Sequence, residues 1–207
     1  MLRNVLGMAA LLATTPLWAA PTTDLAQDAT IFGKRESALS AKISPSGDKV
    51  VMLLAGPAGS TIVKVFDLVT GASKAILRSK DSKEHLEWCD FANEQKLICN
   101  YTGVSRADGV LIPFSRHMLV NADGSGMKPL GQKASDKDKG LRQFDGRIID
   151  WMPEDGTAVL MARTYLAEAG TTGTNIARSV SGLGVDRIEL DTMEFKTIEQ
   201  PRDEIST

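Results

Sequence analysis

Two cysteines and two histidines are the residues of this 207-residue chain best suited to redox, metal or acid–base chemistry. Cys89 and Cys99 flank Asp90-Phe91-Ala92-Asn93-Glu94-Gln95-Lys96-Leu97-Ile98, which reads as strand, polar turn, strand. A turn centred on Glu94 sets positions 89 and 99 opposite each other on an antiparallel hairpin. Directly opposite Cβ atoms lie about 4.5–5.5 Å apart, and the short end of that range overlaps what a disulfide needs. The expectation is a cross-strand Cys89–Cys99 disulfide. The competing readings are two buried free thiols, or a metal site shared with His85 and His117, whose spacing matches none of the common zinc patterns.

Nucleophilic catalysis finds less support. The strand-to-helix elbow that presents a catalytic serine needs Gly-x-Ser-x-Gly, and no two of the 18 glycines are four positions apart. His85 sits in a charged run with Lys83, Glu84 and Glu87, and His117 follows Arg116 in a strand. Neither has a sequence neighbour that marks an activated nucleophile, so no catalytic residue is expected. Gly124-Ser125-Gly126 and Gly182-Leu183-Gly184 lack the third glycine of a dinucleotide loop. Asp123-Gly124-Ser125-Gly126 lacks the alternating carboxylates of a calcium loop and reads as a β-turn. No cofactor and no metal are expected. A net charge of -2, 5% aromatic residues and the absence of a long Lys/Arg cluster argue against nucleic acid as a partner.

At the amino terminus one arginine, Arg3, precedes an apolar run from Val5 to Ala13, and small residues lead to Trp18-Ala19-Ala20-Pro21. This is the pattern of a secretory signal peptide over 1–19, with cleavage after Ala19. The run is too short for the roughly 20 residues of a membrane-spanning helix. The expected location is periplasmic or extracellular, an oxidising setting that suits the disulfide. Residues 20–38 read as an extension.

The elements that position these groups recur. Ile43-Ser44-Pro45-Ser46-Gly47-Asp48-Lys49 is a polar turn feeding the apolar strand Val50 to Leu54. A strand from Thr61 follows, then the turn Asp67-Leu68-Val69-Thr70-Gly71 and an outer strand at Ser73 to Leu77. The order returns from Trp88, with Arg116 to Asn121 as its late strand, and again from Asp150, with Val185 to Leu190. Units that recur every 40–70 residues or so, each with its turns in matching places, point to propeller blades rather than to a β-sandwich. A blade cannot cover its own faces and stacks on its neighbours. The fold expected is all-β, a partial propeller of about three antiparallel blades over 39–207, at roughly 39–80, 84–132 and 144–201. Gln132 to Arg142 and Thr164 to Gly184 read as exposed loops.

Ile31-Phe32-Gly33-Lys34-Arg35-Glu36-Ser37, the stretch from Ala41 to Lys49, Trp88 to Lys96 and Gly182-Leu183-Gly184-Val185-Asp186 together resemble bacterial prolyl-oligopeptidase-type (S9) serine peptidases, of the dipeptidyl and acylaminoacyl peptidase kind. The resemblance implies an amino-terminal propeller that screens access to a carboxy-terminal α/β-hydrolase domain acting on peptides. This sequence shows no counterpart of that hydrolase domain. Three blades fall short of the usual 4–8 of a closed ring. The expectation is therefore the propeller piece of an exported serine peptidase, whose partners are the hydrolase domain or further blades. The alternative is a stand-alone TolB-like binding or scaffold module.

Overall fold

The computed structural model describes residues 25–33, 36–79, 84–107, 109–132, 136–152, 154–169 and 181–201. The expected signal peptide at 1–19 lies outside the described residues. The chain divides into two units, Met1–Arg35 and Glu36–Thr207. In the first, α1 spans Leu25–Phe32, inside the stretch expected as an extension. No helix among the described residues is long and apolar enough to cross a membrane.

The second unit is built from three four-stranded antiparallel sheets, each made by four strands in chain order. The first sheet holds β1 (Ala38–Ile43), β2 (Lys49–Ala55), β3 (Thr61–Asp67) and β4 (Ser73–Arg78). The second holds β5 (Glu84–Phe91), β6 (Lys96–Ala107), β7 (Val110–Asn121) and β8 (Lys128–Pro129), and the third β9 (Arg147–Asp150), β10 (Ala158–Tyr165), β11 (Gly182–Glu189) and β12 (Phe195–Glu199). This is the expected all-β partial propeller of three blades.

The repeat holds down to single hydrogen bonds. Between the second and third strands of each sheet, the N–H groups of Leu68, Ala122 and Leu190 donate to the carbonyls of Asp48, Gln95 and Thr157, each at 2.8 Å. That correspondence makes Lys49, Lys96 and Ala158 equivalent, each opening the second strand of its sheet. The turns that follow need left-handed backbone: Gly71 and Gly124 supply it with φ 71° and 84°, whereas the third sheet places Met193 there at φ 64°. A side chain in that region costs roughly 1–2 kcal/mol, so packing around Met193 must offset it.

Two cores separate the sheets. Val51, Leu53, Val63 and Val65 of the first sheet pack on Leu86, Cys89, Phe91, Leu97, Cys99 and Val120 of the second. The opposite face of the second sheet presents Ile98, Leu119 and nearby Ala92 and Leu130 to Val159, Met161, Ile188 and Leu190. Burial follows from this arrangement. In β6 Leu97, Ile98, Cys99 and Asn100 are buried in succession, because both faces of the middle sheet are covered. In β2 only Val51 and Leu53 are buried, and Val50, Met52 and Leu54 on the outer face stay half exposed.

Two sequence expectations need correction. The connector expected between the inner and late strands of the second unit is itself strand: β6 and β7 are 12 residues each, paired from Lys96↔Asn121 to Ala107↔Val110. Gly103 and Pro113, residue types disfavoured in strands, both sit within this ribbon, with Pro113 opposite Val104. The segments 132–142 and 164–184 are not simply exposed loops. Thr164, Tyr165 and 182–184 belong to β10 and β11, and the two segments are tied together by an antiparallel bridge, Asp138↔Glu168. The N–H of Lys139 donates to Ala167 at 2.8 Å and that of Ala169 to Lys137 at 2.7 Å.

Candidate functional site

The predicted disulfide is present. Cys89 and Cys99 are direct partners in the β5–β6 register, with Cα atoms 4.0 Å apart and their sulfurs bonded. Both residues are buried in the first core. Bonding each sulfur to the other removes both from metal ligation, and with them the alternative of a site shared with His85 and His117. His85 lies on β5, half buried, opposite Thr102 of β6.

His117 is the histidine with an unusual setting. It lies on β7 two residues from Leu119, so it faces the third sheet, and it is 3% exposed. Its ring centroid is 5.4 Å from Trp88, which packs edge-on to Trp151 at 6.1 Å. Nε2 is 3.3 Å from the Asn100 side-chain nitrogen, and Nδ1 has no hydrogen-bond partner. Burial, with Arg163 nearby adding repulsion, holds its pKa down to about 4. Asp145 does not act as an orienter of the ring: its carboxylate accepts the backbone N–H of His117 at 2.9 Å and lies 3.7 Å from Arg116. Burial pushes the Asp145 carboxyl above its usual range, against the hydrogen bond from His117 and the charge of Arg116. A neutral imidazole without a carboxylate on its ring is arranged for packing rather than for proton transfer.

Beyond His117 the same interface carries a buried ionic cluster that the sequence reading did not single out. Arg163 on β10 and Asp186 on β11 pair at 3.3 Å, with side chains 3% and 0% exposed. The strands deliver them to one face: Met161 opposes Asp186, and Arg163 follows Met161 by two residues. The Tyr165 hydroxyl donates to Asp186 at 2.5 Å and lies 3.2 Å from the Thr197 hydroxyl. Arg163 donates through Nη2 to the Leu130 carbonyl, its guanidinium carbon is 5.7 Å from the Phe195 ring, and Nε has no acceptor. Burial lowers the Arg163 pKa and is opposed by the attraction of Asp186. For Tyr165, burial and the bond to Asp186 both push the phenol up. A second buried pair, Arg142 with Asp138 at 3.2 Å, sits nearby in the segment expected to be exposed. The available signal was charge inside apolar strands: Arg163 ends Ala158-Val159-Leu160-Met161-Ala162, and Asp186 interrupts Val185 and Ile188.

Around these groups lies a cavity of about 470 Å³ between the second and third sheets, lined by Leu130, Arg142, Arg163, Ile188, Met193 and Phe195 among others. A second, of about 560 Å³, opens between the first and second sheets beside Lys49, Val65, Lys74, Glu94 and Asp123. Two of its charges are engaged with each other: Lys49 is 3.6 Å from the Glu94 carboxylate, and Glu94 accepts the Ser46 N–H at 2.5 Å. Among the described residues no group of three or more His, Cys, Asp or Glu side chains is placed to hold a metal ion.

No family model and no curated protein matches the chain. Solved structures do. An acylaminoacyl peptidase in complex with Z-Gly-Gly-Phe-chloromethyl ketone is similar over 81% of this chain and 26% of its own length, at 11% identity and a TM-score of 0.48. The β-propeller domain of the trilobed protease from Pyrococcus furiosus is similar over 81% of this chain and 44% of its own, at 13% identity and a TM-score of 0.45. TolB from Acinetobacter baumannii is similar over 78% of this chain and 32% of its own, at 15% identity and a TM-score of 0.37. The chain thus spans less than half the length of each of these structures, and its own strand order makes it an all-β stack of three propeller-type blades.

Proposed function

We propose that the chain is the propeller part of an exported serine peptidase of the prolyl-oligopeptidase type, serving to frame and screen the approach of peptides to a hydrolase domain. The observation that carries this reading is the stack itself. Its middle sheet is covered on both faces by blades of the same build, whereas the outer face of the first sheet leaves Val50, Met52 and Leu54 half exposed. Faces of that composition are covered when further blades complete a ring. The peptidase assignment rests on the sequence resemblance at 31–49, 88–96 and 182–186. In this reading the chain contributes architecture and selection, and the nucleophile, base and oxyanion donors belong to the hydrolase domain.

The test is fluorophosphonate labelling of periplasmic and culture fractions from the native host, followed by capture with an antibody against this chain. A labelled exported species well above the size of the chain is expected. Capture of only an unlabelled species no larger than the chain would overturn the peptidase reading in favour of a TolB-like module. Capture from the cytoplasmic fraction alone would overturn export.

A further inference from the structure

We propose that a small cleft between β5 and β9 is a binding site for an aromatic carboxylate, a single flat ring bearing one negative charge. The proposal is independent of the peptidase reading, since every residue it uses belongs to this chain.

The cleft has a volume of about 250 Å³ and draws on the first strand of every sheet. Lys42 comes from β1, Trp88 and Asp90 from β5, and Arg147 and Ile148 from β9, while Trp151, just beyond β9, and the buried Cys89 complete the lining. Its apolar walls are firm, because Trp88, Ile148 and Trp151 all pack against the core between the second and third sheets. The two indoles stand 6.1 Å apart between centroids and are inclined by 71°. Rings set at such an angle can offer a face and an edge to a third ring, the two arrangements that aromatic pairs favour. Both strands also change register here: β5 on β6 between Leu86 and Trp88, and β9 on β10 opposite Leu160 and Met161. A bulge of this kind re-aims the side chains next to it.

The charges of the lining set the sign of the ligand. Lys42 lies 3.8 Å from Asp90, so these two offset each other. Arg147 is exposed and makes no hydrogen bond or ion pair among the described residues. Two cations against one carboxylate leave a single positive charge in excess. A guanidinium is the group best shaped to take a carboxylate through two parallel hydrogen bonds. A cation is opposed by the surplus charge, and a polyanion by Asp90. The volume is below the roughly 300–1,000 Å³ of sites for drug-sized ligands, which limits the occupant to about one ring.

The experiment is a proton–nitrogen NMR titration of the full chain with benzoate, benzamide and cyclohexanecarboxylate, read at the indole N–H signals of Trp88 and Trp151. Benzoate should shift both signals saturably, with a dissociation constant of about 1 mM or below. It should bind at least about fivefold more tightly than benzamide, which lacks the charge, and than cyclohexanecarboxylate, which lacks the flat ring. Arg147→Gln changes an exposed side chain and should bring benzoate down to the affinity of benzamide. Asp90→Asn removes the opposing carboxylate and keeps an oxygen for the Phe91 N–H, which Asp90 accepts at 2.9 Å. That variant should bind benzoate about threefold more tightly, a gain that misfolding does not imitate. No saturable shift with benzoate up to about 10 mM overturns the proposal. So does either control probe binding as tightly as benzoate, an Arg147→Gln variant with unchanged affinity, or an Asp90→Asn variant with no gain.

Discussion

The two interfaces between the three sheets solve the same packing problem with different chemistry. Between the first and second sheets the centre is hydrocarbon and sulfur: four valine and leucine side chains meet Leu86, Phe91, Leu97, Val120 and the disulfide. Polar groups stay near one end, where the Thr61 hydroxyl accepts the Leu86 N–H at 3.0 Å and lies 3.2 Å from the Ser79 hydroxyl. Between the second and third sheets the apolar set is joined by His117, Asp145, Arg163, Tyr165 and Asp186, all buried. The first interface should respond to volume and oxidation, and the second to charge and pH. A buried ion pair is weak evidence for stability, because desolvation offsets much of its attraction, but removing one partner strands the other.

The largest expected effect is at that pair. Asp186→Asn leaves Arg163 buried without its counter-charge and should lower unfolding free energy in urea by about 3–5 kcal/mol. Replacing both, Arg163→Met with Asp186→Leu, should recover most of it. A double variant as unstable as the single one would show that the cluster works through Tyr165 and the Leu130 carbonyl instead. On the first interface Leu97→Ala should cost about 2–5 kcal/mol as lost contact plus cavity, by an amount that does not change between pH 5 and 8. A strong pH dependence there would erase the contrast.

Replacing Cys89 and Cys99 together by alanine should cost about 2–4 kcal/mol, read as a drop in urea midpoint that matches the reduced wild type. Both cysteines are buried, so reductant should act at a rate set by unfolding rather than by its concentration. The smallest effect, up to about 3 kcal/mol, is the titration of His117. Unfolded, its imidazole takes a proton near pH 6.5, and folded only near pH 4. The unfolded state therefore gains protons first, and stability should fall from about pH 6.5 to pH 4 and then level off. Asp145, raised by burial, takes its proton earlier in the folded state and returns part of that loss at the acid end. His117→Gln should flatten the slope in this window, and an unchanged slope would move the pH response elsewhere.

Much of the architecture was readable because it is local. The Cys89–Cys99 pairing follows from counting outward from Glu94. The turns follow from Gly47, Gly71, Gly124 and Gly156, and the repeat from their spacing. What escaped was set by contacts between distant segments. Arg163 and Asp186 are 23 positions apart, and only the β10–β11 register brings them together. Asp138 and Arg142 sit in a lysine- and aspartate-rich stretch whose composition describes a solvated loop, yet its bridge to Glu168 accompanies burial of both side chains. β6 and β7 extend beyond the expected late strand Arg116 to Asn121 because their mutual pairing carries Gly103 and Pro113, residues that locally oppose strand.

The equivalence of Lys49, Lys96 and Ala158 gives the stack a head and a tail. Lys49, in the first sheet, reaches the Glu94 carbonyl of the second at 3.2 Å. Lys96, in the second, reaches the Leu190 carbonyl of the third at 3.1 Å and Asp191 at 2.7 Å. Each lysine thus grips the blade that follows it in sequence, so the order of blades is written into a one-way chemical handshake. Ala158 holds that position in the third sheet and has nothing to extend, while the nearby Arg187 is engaged with Asp155 and Glu189 of its own sheet. Any blade that follows the third must therefore be recognised by a different sign from the one that joins the first three.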